Sequence, residues 1–121
     1  MSTEIEKLTQ ILRDSNNIAF FGGAGVSTES GIPDFRSSNG LYSEKLHVNF
    51  TPEQLVSHSF YIRYPEEFFN FYKAKLIYPE AKPNDAHRAL AKLEEIGKLK
   101  AVITQNIDGL HQAAGSKVVY E

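Results

Sequence analysis

The sequence predicts an α/β fold with a parallel sheet, and three observations lead to this prediction. Two short and largely apolar runs, residues 18–21 and 99–103, are typical of strands buried in a parallel sheet. Between them, residues 84–95 place apolar side chains at helical spacing. A strand, a helix and a second strand in this order form a crossover unit, which puts both strands parallel in one sheet.

A first helix precedes the sheet. Ser2 or Thr3 can cap it, Glu4 and Glu6 lie in its first turn, and the turn-forming residues 14–17 end it. Its apolar stripe, which we expect to pack against the sheet, consists of Ile5, Leu8, Ile11 and Leu12.

Residues 37–83 contain no run long enough for a strand and are predicted to be a loop followed by helices. Thr51 and Pro52 begin one helix, and Pro65 begins another. The second is rich in aromatic residues, which could stack bases in a nucleic-acid reader. Few basic residues lie among them, so we favour a packed helix buried on more than one side.

Three glycines, Gly22, Gly23 and Gly25, follow the first strand. Glycine lets the backbone approach a ligand closely, and a helix beginning near Val26 would direct N–H groups at a phosphate. The spacing matches the G-x-G-x-x-G dinucleotide fingerprint except that Thr28 stands at the third glycine. No Lys-Ser or Lys-Thr pair follows, which excludes a P-loop. An ordinary strand-to-helix turn explains the glycines alone equally well.

Gly31 and Pro33 end that helix early. Asp34, Phe35 and Arg36 then offer an acceptor for a ribose, a face for a flat ring and a cation for a phosphate. Taken singly, each is explained as well by a capping aspartate, a core phenylalanine and a surface arginine.

Gln105, Asn106 and Asp108 come directly after the second predicted strand. Ligands of open α/β sheets bind at the carboxyl ends of the strands, so we expect these amides and this carboxylate to join a binding site. The alternative is that Asn106 or Asp108 caps the helix starting at Gly109, and the two roles are compatible.

Three segments resemble the motifs of the sirtuins, the NAD-dependent protein lysine deacylases: residues 23–42 (GAGVSTESGIPDFRSSNGLY), 82–95 (KPNDAHRALAKLEE) and 104–115 (TQNIDGLHQAAG). The resemblance covers nearly all of the chain after the first helix. It implies the N-terminal half of a Rossmann-like, three-layer parallel sheet. Residues 1–121 would be a truncated NAD-binding domain, and residues 37–83 its cofactor-binding loop and helical insertion.

The resemblance implies NAD as cofactor and an acetyl-lysine protein or peptide as substrate. The implied cofactor-binding residues are Gly23, Ala24, Gly25, Ser27, Thr28, Asp34, Phe35, Arg36, Gln105, Asn106, Ile107 and Asp108. Asn106 and Asp108 are the implied catalytic residues. In the family, the acyl oxygen attacks the ribose as its bond to nicotinamide breaks, which yields nicotinamide, O-acyl-ADP-ribose and free lysine.

The family's general base is a histidine that would follow Glu121, and its four zinc-binding cysteines would lie further on. We expect zinc in a full-length member, but this chain has no cysteine and supplies no metal site. Its histidines match other positions: His47, His58, His87 and His111. A general base contributes about 10²–10⁴-fold to the rate, so we expect the 121 residues alone to be inactive or nearly so.

The sequence also bears on the acyl group and on other functions. Members that prefer acidic acyl groups carry a tyrosine and an arginine three residues apart, and the matching Phe69 and Tyr72 offer no cation. We therefore expect acetyl or another neutral acyl group.

A nicotinamide-dependent oxidoreductase would need an acidic ribose clamp after its second strand, which is missing. A non-catalytic NAD-binding fragment is the other alternative.

The composition agrees with a cytoplasmic domain. A net charge of −2 does not favour nucleic-acid binding, and no apolar run or basic leader predicts a membrane segment. A sheet made only of strands near Ile18, Ala101 and Val118 would leave an open edge. We expect self-association of the chain through that edge.

Overall fold

The structure, a computed structural model, describes residues 2–43 and 50–121, so that His47 lies outside the described residues. In chain order the elements are α1 (Thr3–Asp14), β1 (Ile18–Gly22), a 3₁₀ helix (Ala24–Ser30), a second 3₁₀ helix (Leu41–Ser43), α2 (Pro52–Leu55), α3 (His58–Arg63), α4 (Pro65–Lys75), α5 (Asp85–Glu95), β2 (Leu99–Thr104), α6 (Leu110–Ala114) and β3 (Val119–Tyr120).

The three strands form one parallel sheet in the order β1-β2-β3. Phe21 pairs with Ile103, and Ile103 pairs with Tyr120. The predicted α/β class, with parallel strands and a helix between the first two, is confirmed. Because the strands run in the same direction, their carboxyl ends lie at one edge, where both polar segments emerge.

The core lies where α5 and α6 pack against each other and α5 packs against β2. Leu99, Val102 and Leu110 are buried there. Asn84 caps α5, and Gly97 follows the helix with a φ of 84°, a left-handed conformation that glycine adopts without strain.

The other face of the sheet is exposed in the described part of the chain. Phe21 is 68% exposed and Tyr120 62%, and both lie in one row with Ile103. The apolar sequences of the strands predicted burial on both faces of the sheet, but the strands are buried on one face only. An apolar run shows that a strand suits a covered sheet, but it does not show which segment covers it.

The predicted packing of α1 against the sheet is wrong for the same reason. Ser2 caps this helix, but Leu8 and Ile11 are more than half exposed. Its C-terminal end is held by Lys98, whose ammonium donates to the carbonyls of Arg13 and Ser15 at 2.7 and 2.9 Å.

The helical insertion begins as predicted, with a capping box between Thr51 and Gln54 and with Pro65 at the start of α4. Its aromatic rings pack mainly on one another: Phe50, Phe60, Tyr61, Tyr64, Phe68, Phe69 and Tyr72. No described residue of α4 is fully buried. The packed cluster is confirmed, whereas burial of α4 on more than one side is not observed.

Candidate functional site

The glycine loop, residues 22–31, carries the 3₁₀ helix after β1. This helix begins earlier than the predicted α-helix, and its seven residues are too few for a strong helix dipole. It ends as predicted at Gly31, whose φ of 85° allows its N–H to reach the carbonyls of Ser27 and Thr28. Backbone N–H groups of a tight turn, not a long helix, therefore point out of this loop.

The QNID segment, residues 105–108, meets the glycine loop directly. The Ser27 hydroxyl donates to Asp108 Oδ2 at 2.6 Å. Asn106 Nδ2 donates to the Gly23 carbonyl at 2.9 Å and lies 3.4 Å from Ser27 Oγ. The other Asp108 oxygen accepts from the N–H of Leu110 at 3.0 Å. Asp108 thus accepts from the first N–H of α6 and also holds the glycine loop.

Thr104 sets the direction of the QNID segment and was missed in the sequence. Its buried hydroxyl accepts from the N–H of Asn106 at 2.9 Å, which turns the chain as β2 ends. Gly109, with a φ of 68°, then leads the chain into α6. A threonine at the end of a predicted strand, whose hydroxyl can accept from the backbone N–H two residues later, is the signal that could have identified this turn.

The Asp-Phe-Arg loop, residues 34–42, folds back on itself. The N–H groups of Leu41 and Tyr42 donate to the carbonyls of Asp34 and Phe35 at 2.6 and 2.8 Å. The rings of Phe35 and Tyr42 lie 5.3 Å apart. A Cβ at Gly40 would lie 2.6 Å from the Asp34 carboxylate and 2.7 Å from the Phe35 carbonyl, so this closure requires glycine.

These segments surround a cavity of about 300 Å³. The predicted site residues that line it are Ala24, Ser27, Phe35, Gln105, Asn106, Ile107 and Asp108. The described residues that line it without having been predicted as site residues are Ile32, Pro33, Leu41, Tyr42, Val56, Tyr72, Lys75, Leu76 and Tyr78. Amides and a carboxylate at one end therefore face a largely apolar wall at the other.

Other predicted site residues do not line the cavity. Thr28 donates to the carbonyl of Gly25 at 3.0 Å, and the Asp34 carboxylate accepts hydrogen bonds from Ser37. The guanidinium of Arg36 lies 5.9 Å from the centre of the Tyr42 ring. Arg36 itself is not in the lining, but its neighbours Phe35 and Tyr42 line the same cavity as Asp108.

The wall from the helical insertion includes Tyr72 and Lys75, one turn apart on α4. Tyr72 supplies no cation, as expected from its side chain. Lys75 also belongs to the lining of this cavity, which reasoning from Phe69 and Tyr72 alone did not anticipate.

Two histidines lie behind the site and outside the cavity lining. His87 and His111 are buried, with ring centres 4.9 Å apart. His87 Nδ1 accepts from the N–H of Asn84 at 3.1 Å, so that His87 is a hydrogen-bonded structural histidine. Burial lowers the pKa of both rings, and the negative charge of Asp108 opposes this shift. The shift favours the neutral form of both rings.

Within residues 2–43 and 50–121, no three His, Asp or Glu side chains lie close enough together to hold a metal ion. No helix in this part of the chain is long and apolar enough to cross a membrane.

The glycine loop leaves open space beside its backbone. A Cβ added to Gly23 or Gly25 would meet nothing within 4 Å, so the space beside this backbone is open to a ligand. Hydrogen-bonding groups of Asn106 and Asp108 lie next to that space. An open backbone turn beside amide and carboxylate groups suits a pyrophosphate and its ribose.

Sequence comparison finds relatives over the whole chain. The NAD-dependent protein deacetylase of Clostridium perfringens is 78% identical over 121 residues, which are 100% of this chain and 50% of that protein. The enzyme of the same name from Clostridium tetani is 63% identical over 116 residues, 96% of this chain and 47% of that protein. The chain thus spans about half the length of the curated relatives it matches.

Structural comparison agrees. A chain solved in work on the mechanism and regulation of Sir2 enzymes matches with a TM-score of 0.85 and 46% identity, covering 98% of this chain and 45% of that one. A Sir2 complex with a p53 peptide and NAD⁺ matches with a TM-score of 0.76 and 45% identity, covering 98% and 44%. The model of the Sir2 family matches residues 23–121. The chain therefore belongs to the Sir2 family and has its Rossmann-like fold.

Proposed function

We propose that this chain forms the NAD-binding part of an NAD-dependent protein deacetylase that removes acetyl groups from lysine. The observation that carries the proposal is the joining of the glycine loop to the QNID segment beside one cavity, through Ser27, Asn106 and Asp108. Relatives named NAD-dependent protein deacetylases match the chain from end to end. Solved Sir2 structures bound to an acetylated peptide and to ADP-ribose match it as well.

We assign the roles by position. The backbone of Gly23, Ala24 and Gly25, with Ser27 and Thr28 beside it, would receive the pyrophosphate. Gln105 and Asn106 would hold the ribose next to nicotinamide, and Ile107 and Asp108 the carboxamide. In the Asp-Phe-Arg loop, Phe35 would cover the sugar, Asp34 would hold the loop closed and Arg36 would reach a phosphate.

NAD supplies the ribose carbon that accepts the acyl oxygen as nicotinamide leaves. The chain's part in this is to hold that ribose still. Ser27 fixes one oxygen of Asp108, and the Leu110 N–H fixes the other. A carboxylate held at both oxygens loses little freedom when it meets the carboxamide, and pre-organisation of this kind is a main source of enzymatic rate.

The apolar wall supports a neutral acyl group. Val56, Tyr72 and Leu76 line it, and Lys75 lies in the same lining. We propose acetyl as the group removed. A faster reaction with succinyl-lysine than with acetyl-lysine would assign Lys75 to an acidic acyl group and overturn this preference.

The 121 residues alone are proposed to bind NAD with little or no turnover, as a non-catalytic NAD-binding fragment would. No histidine is found among the described residues that line the cavity. His87 and His111 are buried and do not line the cavity, so neither is placed as a general base at the ribose. An oxidoreductase is not supported by any feature of the cavity.

We further propose that the chain self-associates through the edges of its sheet. The order β1-β2-β3 leaves the outer edges of β1 and β3 unpaired among the described residues, and a second copy can pair there. We propose the cytoplasm as the location, with which the cysteine-free sequence is compatible.

The test is the release of nicotinamide and O-acetyl-ADP-ribose from NAD and an acetylated peptide, followed by mass spectrometry. We expect product from a full-length protein that contains this chain and almost none from the 121 residues. Full-length protein that binds NAD without forming either product would contradict the deacetylase assignment. Relative-like turnover by the 121 residues would contradict their inactivity.

A further inference from the structure

The side chain of Asn84 lies between the glycine loop and α5. Its Oδ1 accepts from the N–H of Ala86 at 2.9 Å, which caps α5. Its Nδ2 donates to the Val26 carbonyl at 2.8 Å and to Ser30 Oγ at 3.0 Å, more than 50 residues earlier in the chain. Both amide hydrogens and the amide oxygen are therefore used.

Capping alone does not require this arrangement. An N-cap needs only an oxygen that accepts from the first turn, and the hydroxyls of Ser2, Thr51 and Ser57 serve α1, α2 and α3 in that way. The two donors of Asn84 act on the glycine loop instead, on both sides of Ser27. Ser27 is the residue whose hydroxyl reaches Asp108.

We propose that Asn84 is a positioning residue that holds the glycine loop in register with Asp108. The loop is then fixed from two directions, by the QNID segment on one side and by Asn84 on the other. The value of this tether for NAD binding rests on the proposed function, whereas the tether itself does not. Without the tether, the 3₁₀ helix is free to shift, and the Ser27 hydroxyl no longer stays at Asp108.

The substitution Asn84→Asp separates the tether from the cap. Aspartate caps a helix as well as asparagine does, so α5 should keep its stability. The carboxylate cannot donate, and it places an oxygen against the Val26 carbonyl. Ser30→Ala, which removes one of the two contacts, should give a smaller effect in the same direction. Ser2→Ala, which removes the cap of the distant α1, is the control.

Two measurements on the 121-residue chain decide the matter. The first is amide hydrogen exchange without NAD. Asn84→Asp should accelerate exchange at residues 26–32 about tenfold, a factor that corresponds to the loss of one or two hydrogen bonds. Exchange in α5 should not change. The second is calorimetric titration with NAD, in which the Kd should rise about tenfold. Ser2→Ala should change neither.

Unchanged exchange in the glycine loop of Asn84→Asp would overturn the inference, whatever happens to NAD binding. Faster exchange over α5 and the loop together would also overturn it, because Asn84 would then be an ordinary cap. If the loop exchanges faster but the wild-type chain binds no NAD, the tether is established and the proposed function fails.

Discussion

Ser27 and Asp108, 81 residues apart in the chain, are joined by a hydrogen bond of 2.6 Å. The bond links the loop after β1 to the segment after β2. Because β1 and β2 are parallel neighbours, both segments leave the sheet at the same edge. The bond therefore joins two motifs that are distant in sequence into one site.

Ser27→Ala should lower the free energy of unfolding by about 1–3 kcal/mol, because Ser27 is buried and its bond is to a carboxylate. Urea denaturation followed by circular dichroism measures this. Thr28→Ala is the matched control, since the Thr28 hydroxyl is exposed and bonds only within its own helix. Its cost should stay below about 0.5 kcal/mol. Equal losses of unfolding free energy in the two variants would show that the Ser27–Asp108 bond stabilises the fold no more than the exposed Thr28 bond does.

Gly23→Ala should leave stability unchanged while weakening NAD binding at least about tenfold. The φ of Gly23 is −120°, which suits any residue, and its added Cβ meets no protein atom within 4 Å. Only a bound ligand can make that methyl group costly. Thermal denaturation and calorimetric titration on the same sample separate the two effects. Undiminished NAD affinity would place the pyrophosphate elsewhere.

Gly40→Ala, in contrast, should destabilise the folded chain. Its Cβ would overlap the Asp34 carboxylate and the Phe35 carbonyl, so the Asp-Phe-Arg loop must open. Overpacking of this kind costs about 1–3 kcal/mol. Limited proteolysis should then cut within residues 34–42 faster than in the wild type. A loop that is cut at the wild-type rate would contradict the closed arrangement.

Stability should fall as the solution becomes acidic. The pKa values of His87 and His111 are lowered in the folded chain by burial, so the unfolded chain binds protons more readily. Their stabilising contribution is complete above the unfolded value of about 6.5 and is lost as the pH falls through the folded values. Each proton adds at most about 1.4 kcal/mol per pH unit to the slope. Urea denaturation between pH 8 and about pH 5 measures it.

His111→Leu tests the source of this slope. Leucine has a similar volume, and no described group lies within hydrogen-bonding distance of either His111 ring nitrogen. The variant should keep its stability near pH 8 and lose about half of the slope. An unchanged slope would assign the acid sensitivity to other groups.

The chain alone should self-associate, and Phe21→Lys should reduce this. Phe21 lies on edge strand β1 and is 68% exposed, and an edge lysine disfavours pairing. Sedimentation velocity over a range of concentrations measures the association. Ile62→Lys makes the same change on exposed α3 and should have no effect. A chain that remains monomeric at every concentration would refute association through the edge.

Most of the architecture could be read from local signals. The caps at Ser2 and Thr51, the stop at Gly31 and the strand around Ala101 all follow from short-range chemistry, and the structure has them. The meeting of the two motifs followed from one further rule, that parallel strands bring their ends to one edge.

What the sequence did not reveal depends on distant packing. Helical spacing marked the stripe of α1 as apolar but could not say what covers it. The Asn84 tether and the place of Lys75 depend on chain segments far apart in sequence. The Thr104 turn is a local feature that was overlooked. The individual contacts of Arg36 with a cofactor stay a prediction.

The most direct test of the central claim is a titration of the isotope-labelled 121-residue chain with NAD, followed by NMR. If the glycine loop and the QNID segment form one site, amides of residues 22–31 and of residues 105–108 should shift together and yield a single Kd. Absence of shifts, or shifts confined to one of the two segments, would contradict the account.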